Sequence, residues 1–90
     1  MPRIVSITLQ NTDTARPIIE AITADNPGAV VHAMPGIVKI DREGSLIVKR
    51  ESVEDRIGRD WDPQELHLSL VSMAGNVDED DDYFSLAWSH

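Results

Sequence analysis

Three histidines and sixteen carboxylates are the residues of this 90-residue chain most able to do chemistry, so their spacing is the first test of an active site. His32 and His67 alternate with neighbours of opposite polarity, as strand residues do, and His90 is the final residue. Carboxylate-bridged diiron centres are built from Glu-x-x-His on paired helices. Glu65 and His67 are only two apart, so that pattern is missing. The run Asp78-Glu79-Asp80-Asp81-Asp82 invites a calcium reading. An EF-hand loop needs Gly at its sixth position and Glu at its twelfth, and counting from Asp78 those places hold Tyr83 and Ser89. The run reads as a solvated acidic loop joining two strands, with a weak metal site or a charged docking patch as the alternatives.

Nucleophilic chemistry has no better footing. Ser6, Ser45, Ser52, Ser69, Ser72, Ser85 and Ser89 stand in no GxSxG elbow. The five glycines form neither a dinucleotide fingerprint nor a phosphate-binding loop. Cysteine is absent, which excludes disulfides, thiolate zinc sites, iron–sulfur clusters and thiol nucleophiles together. Trp61, in the polar segment Gly58–Glu65, is either a lid over one edge of the core or an anchor for a partner.

The elements that must position these residues follow from periodicity. Val5, Ile7 and Leu9 alternate with Ser6 and Thr8, a half-buried strand. Asn11, Thr12 and Asp13 offer helix caps, and Ala15, Ile18, Ile19 and Ile22 make one helical stripe. Pro17 belongs in that helix's first turn, and Asp25-Asn26-Pro27-Gly28 ends it. Strands follow at about 29–34 and 37–41, joined by Pro35-Gly36, the pair favoured in a type II turn. After a turn at 42–44 comes a strand over 45–50, then a short helix that Ser52 and Asp55 would cap and Gly58 would close. Asp62-Pro63 can open one more helical turn. Leu66, Leu68 and Leu70 alternate with His67, Ser69 and Val71 as the longest strand signal, broken at Gly75-Asn76. Tyr83–Trp88 returns as the last strand. The order is strand-helix-strand-strand twice over, two similar halves meeting near Gly44. The expected class is α+β, a largely antiparallel sheet with two main helices, in a single domain over residues 1–90.

Composition narrows the functional classes. Hydrophobic residues make up 41% and charged residues 27% of the chain, the balance of an ordinary globular domain. No apolar run approaches the roughly 20 residues that span a bilayer. The opening Met1-Pro2-Arg3-Ile4 lacks a signal-peptide core, so the chain is expected to be cytoplasmic. Net charge is −8, a surface that repels nucleic acid and anionic lipid and is steered toward basic protein surfaces.

Three stretches carry a resemblance: 25–41 (DNPGAVVHAMPGIVKID), 58–66 (GRDWDPQEL) and 68–77 (LSLVSMAGNV). In order and spacing they resemble the regulatory (effector, or coupling) proteins of bacterial soluble diiron multicomponent monooxygenases, in the phenol hydroxylase branch. The resemblance implies a non-catalytic component with no cofactor of its own. Its partner would be the diiron hydroxylase, bound over the helices flanking the metal centre, and its effect would be on oxygen activation, substrate entry and coupling. Phenols would be the substrates of the complex, with NADH as electron source through a separate reductase that competes for hydroxylase surface. Unlike methane-type relatives, the chain is expected to lack long terminal extensions. Residues 69–76 match the family region that faces the hydroxylase, with Ser72 standing where methane-type relatives place small hydroxyl residues, whereas Met73 differs. The expected hydroxylase-binding residues are therefore Ser72, Met73, Gly75 and Asn76. Gly75 permits close backbone approach, Asn76 offers donors and acceptors, and Met73 either fills core or adapts to an irregular partner. Apart from the resemblance, the duplicated pattern equally suits a ferredoxin-like ligand-sensing or assembly module. A small cofactorless enzyme would need the catalytic constellation that the sequence lacks.

Overall fold

The computed structural model describes residues 3–88; His90 lies outside them. Its first strand, β1 (Ile4–Gln10), buries Val5, Ile7 and Leu9 as their alternation requires. Helix α1 (Arg16–Asp25) follows, with Pro17 in its first turn and Ala15, Ile18, Ala21 and Ile22 buried. None of the expected caps stands at the helix start: the cap position falls on Ala15, with no side-chain cap bond, and Thr12 instead closes the preceding turn, its Oγ1 accepting the Ala15 N–H at 3.1 Å. Strands β2 (Val30–Met34) and β3 (Ile37–Glu43) form a hairpin. Its turn places Gly36 at φ 81°, the positive angle that a type II turn demands after proline.

Chain direction changes at Gly44, and β4 (Ser45–Lys49) runs straight into α2 (Arg50–Ile57). That direct junction overturns the expected Ser52 cap: the helix starts three residues earlier, with Lys49 at its cap position. The Arg50 N–H is instead satisfied by the Asp82 carbonyl at 2.9 Å. Gly58 closes α2 in the left-handed conformation, as expected.

The leucine alternation at 66–70 misleads. Residues Pro63–Leu68 form a 3-10 helix, and burial there recurs every third residue, at Pro63, Leu66 and Ser69. The local signal that wins is a capping box. Asp62 Oδ1 accepts the Gln64 N–H at 2.9 Å, and Glu65 Oε2 accepts the Asp62 N–H at 2.9 Å. Only Leu70–Ala74 is strand, β5. The expected break and loop beyond it are also shorter than the sequence suggests. Asn76–Glu79 is a strand, β6, which pairs with β7 (Tyr83–Ala87) and leaves Asp80–Asp82 as the loop. Asp78 and Glu79 are tolerated in β6 because its outer edge meets water.

Every strand pairing among the described residues is antiparallel, in two sheets. The first has the order β2-β3-β1-β5 and the second β4-β7-β6. The duplication is plain in this wiring. In each half the first strand pairs with the last, and the last carries the middle one on its other side. The 3-10 helix and β5 are extra to the second half, and β5 joins the first half's sheet beside β1. Side chains from both sheets and both helices share one core, with Ile7, Leu9, Ile22, Ile40, Leu46, Leu66, Phe84 and Leu86 almost completely enclosed. Trp61 closes one side of it at 3% exposure, which settles it as a lid.

A polar staple crosses this core. Asn26, at the end of α1, donates through Nδ2 to the carbonyls of Ile22 (2.7 Å) and Ile47 (2.8 Å). Its Oδ1 accepts the Ile47 N–H at 2.9 Å. The sequence shows Asn26 only as a helix stop, yet it ties the first half's helix to the second half's first strand.

Candidate partner-docking surface

The four expected contact residues lie on one ribbon. β5 is paired only to β1 and β6 only to β7, so each is an edge strand with an open side. Gly75 joins them end to end. Its φ of 139° is one that residues with Cβ rarely adopt, and a Cβ there would stand 3.2 Å from Val5 Cγ1 and 3.5 Å from Leu86 Cβ. Val5 belongs to the first sheet and Leu86 to the second, so Gly75 is where the two sheets close over the core. It is thus a geometric necessity of the ribbon.

Ser72 lies opposite Thr8, and Met73 opposite Ile7, so their side chains leave opposite faces of β5. Ser72 faces water. Met73 is on the core side of the sheet but at its rim, 38% exposed, so it does not serve as core filling. Asn76 is exposed at the start of β6, opposite Ala87. A bulge between Thr8 and Leu9 leaves Val71 outside the regular register. Sequence reasoning missed Leu68, 80% exposed, together with the exposed Val71 and Val77. A signal was there: Leu68–Val77 is ten residues without one charge, in a chain where 27% are charged.

Acidic groups gather on the other side of β6. His67 Nε2 meets Glu79 Oε1 at 3.2 Å and its ring lies edge-on to Phe84, which fastens the 3-10 helix to β6. Tyr83 donates to Asp78 Oδ2 at 3.1 Å, and that bond to a carboxylate raises the phenol's pKa above its ordinary value. Arg50 reaches Glu54 Oε2 at 3.0 Å and the Asp81 carbonyl at 3.5 Å, so the loop Asp80–Asp82 is held to α2. Glu54 also accepts the Trp61 N–H at 2.8 Å. The Trp61 bond first, and Arg50 second, hold the Glu54 carboxyl below the usual glutamate value. An open cleft beside this network has mixed acidic and basic walls, including Lys49, Glu51 and Asp82.

His32 lies across the hairpin from Lys39 and contacts Asp41 at 3.3 Å. Among the described residues, no three His, Asp or Glu side chains converge as metal ligands do. No helix among them is long and apolar enough to cross a membrane. What the geometry does offer is an uncharged, partly apolar ribbon, Leu68–Val77, that runs along β5 into the start of β6: the equipment of a protein-binding module.

Residues 3–87 match the MmoB/DmpM family model, and the chain belongs to that family. It is 46% identical, over its whole length and that of the relative, to the phenol 2-monooxygenase stimulatory component DmpM of Pseudomonas sp. strain CF600. Two solved chains of phenol hydroxylase–regulatory protein complexes superpose with TM-scores of 0.93 and 0.89. The first is 44% identical, covering 97% of this chain and 100% of that one; the second is 42% identical, covering 96% and 100%. The soluble methane monooxygenase regulatory protein B shares the fold, with a TM-score of 0.76 at 20% identity over 96% of this chain and 65% of that one.

Proposed function

We propose that this chain is the stimulatory component of a phenol hydroxylase. It binds the diiron hydroxylase, performs no catalysis itself, and promotes efficient, coupled hydroxylation of phenols. The electrons come from NADH through a separate reductase, and the complex works in the cytoplasm. The observation that carries this reading is the end-to-end match, 44% identical at a TM-score of 0.93, to a chain of a phenol hydroxylase–regulatory protein complex. The uncharged ribbon Leu68–Val77 supports a role in binding, because interface centres are poor in charge. Ser72, Met73, Gly75 and Asn76 are its proposed hydroxylase contacts.

Reconstitution tests both levels of the proposal. Hydroxylase and reductase together should turn phenol over slowly, and adding this chain should raise the rate until binding saturates. Large excess should inhibit, as the chain displaces reductase. Met73→Glu and Asn76→Ala should keep wild-type circular dichroism yet need at least about tenfold more protein for half-maximal stimulation, the loss of one good contact. Stimulation at wild-type concentrations by both variants would remove the segment from the interface. No stimulation by the wild-type chain would end the functional reading.

A further inference from the structure

The first sheet has a face turned away from the core, on which Thr8 is shielded to 6% exposure while Val30 and Met34 on the edge strand stand open. Val5, Ile7, Leu9, Val38 and Ile40 point to the core, so the alternate residues of the same strands point away from it. The helices pack chiefly against β4 and against each other, and α1 shares the core cluster on the inner side. Register aligns the outward residues in rows that cross all four strands. One row runs Ser72, Thr8, Lys39, His32, and the next runs Ala74, Ser6, Asp41, Val30. Ser72, a proposed contact, is therefore the end of a row whose other end is on β2. Three strand spacings separate them, roughly 14 Å.

Strand β2 is exposed along its whole length, with Val30 at 53% and Met34 at 40%. Exposed edge strands are ordinarily protected by charge. Here the stretch Pro27–Val38 contains no Asp, Glu, Lys or Arg, and Leu68–Val77 contains none either. Those two stretches supply the two opposite edges of one sheet. Charges on the face between them neutralise one another. Asp41 contacts His32 at 3.3 Å through one oxygen and Lys39 at 3.6 Å through the other. Residues 44–90 carry eleven acids against four bases, and residues 1–43 five against four. Three of the face's four strands thus belong to the nearly neutral half, which is the one that loses least on desolvation.

We infer that the hydroxylase seats across the outward face of this four-stranded sheet, from Ser72 on β5 to Val30 and Met34 on β2, and not on the ribbon alone. The inference rests on the proposed function for its partner. Continuity with the ribbon through Ser72 and the charge-free edges select the hydroxylase as the occupant. An area near 800 Å² per partner, which a stable interface needs, also calls for more than one edge strand.

The test compares neighbours on one strand. Val30→Glu and Met34→Glu place a charge on the outward face, and Ala33→Glu places the same charge on the opposite face. In reconstituted turnover, each outward variant should raise the concentration for half-maximal stimulation at least about tenfold, roughly 1.4 kcal/mol of binding. Ala33→Glu should change it less than about twofold. Wild-type values for both outward variants would overturn the inference. The ribbon reading would survive that result if Met73→Glu still failed, and absent stimulation by the wild-type chain would mark failure of the functional reading itself. Because the chain has no cysteine, a second measurement avoids folding artefacts. Met34→Cys and Ala33→Cys are alkylated with and without hydroxylase and read by mass of the small chain. Protection at 34 and not at 33 supports docking on this face, whereas equal rates at 34 with and without hydroxylase overturn it. Protection of Met34→Cys without hydroxylase, rising with chain concentration, would assign the face to a second copy and also overturn it.

Discussion

In the first β-α-β-β unit, residues 4–43, the helix is held by oil: Ala15, Ile18, Ala21 and Ile22 are all buried. In the second, residues 45–87, helix α2 buries Val53 alone and is held by polar groups. Arg50, Glu54 and the Trp61 N–H form one network, with the carbonyls of Asp81 and Asp82 at the helix start. The wiring of the units is the same and the means of fixing it differ. Topology in this fold is thus recorded by alternation and turns, which leave the remaining side chains free to specialise. The first unit specialises as a nearly neutral sheet with charge-free edges. The second carries most of the negative charge and contributes β5 to its neighbour's sheet, so neither unit is complete alone.

The largest effect should come from cutting the link between the units. Asn26 is 1% exposed, and all three of its side-chain hydrogen bonds end on backbone groups. Asn26→Ala leaves the N–H and carbonyl of Ile47 without their buried partners and opens a void. Each unsatisfied group costs about 1–3 kcal/mol, so a loss of about 2–4 kcal/mol is expected in urea unfolding. A loss below about 0.5 kcal/mol would mean that the units are joined by apolar packing alone.

The next comparison is between two glycines. Gly36 turns the first unit's hairpin at φ 81° with nothing within 4 Å of where a Cβ would stand, while Gly75 combines φ 139° with contact to Val5. Gly36→Ala should carry only the backbone cost, of order 1 kcal/mol. Gly75→Ala should carry that and a steric part, about 1–3 kcal/mol in all. It should also weaken stimulation, because the ribbon on both sides of it shifts. Equal destabilisation at the two sites would show that the sheets are not closely joined at Gly75.

These features differ in how far the sequence discloses them. Alternation in β1 and the apolar stripe of α1 report burial directly, because one sheet face or one helical stripe faces the core. The wiring was legible as a repeated order of elements. The split into two sheets was not, since it depends on Gly75 turning the chain between them. At 66–70 a period-two pattern of leucines met a capping box, and the capping box won: two local hydrogen bonds fix Asp62–Glu65 as the start of a helical turn. The proposed contact segment was visible only through the family resemblance, although its lack of charge was open to view. Asn26 could not have been found, because its partner Ile47 is brought to it by the fold.

The smallest effect tests whether polar fixation in the second unit is electrostatic. Glu54 is held below its ordinary value of 4.5 by the Trp61 N–H and Arg50, so the folded state favours its ionised form. A depressed carboxyl stabilises the fold fully above its unfolded value and loses that contribution as pH falls through its folded value. The window is therefore pH 4.5 and below. Arg50 and Glu54 are both partly open to water, so the charge part should be modest and should shrink in salt. Glu54→Gln keeps the shape and removes the charge. Subtracting its unfolding free energy from that of the wild type cancels the other carboxylates to first order. The difference should favour the wild type at pH 7, decline below pH 4.5, and vanish once Glu54 is protonated in both states. A difference that stays constant from pH 7 to pH 3 would show that Glu54 acts through shape and neutral hydrogen bonding. The two helices would then differ in the polarity of their contacts and not in their response to charge.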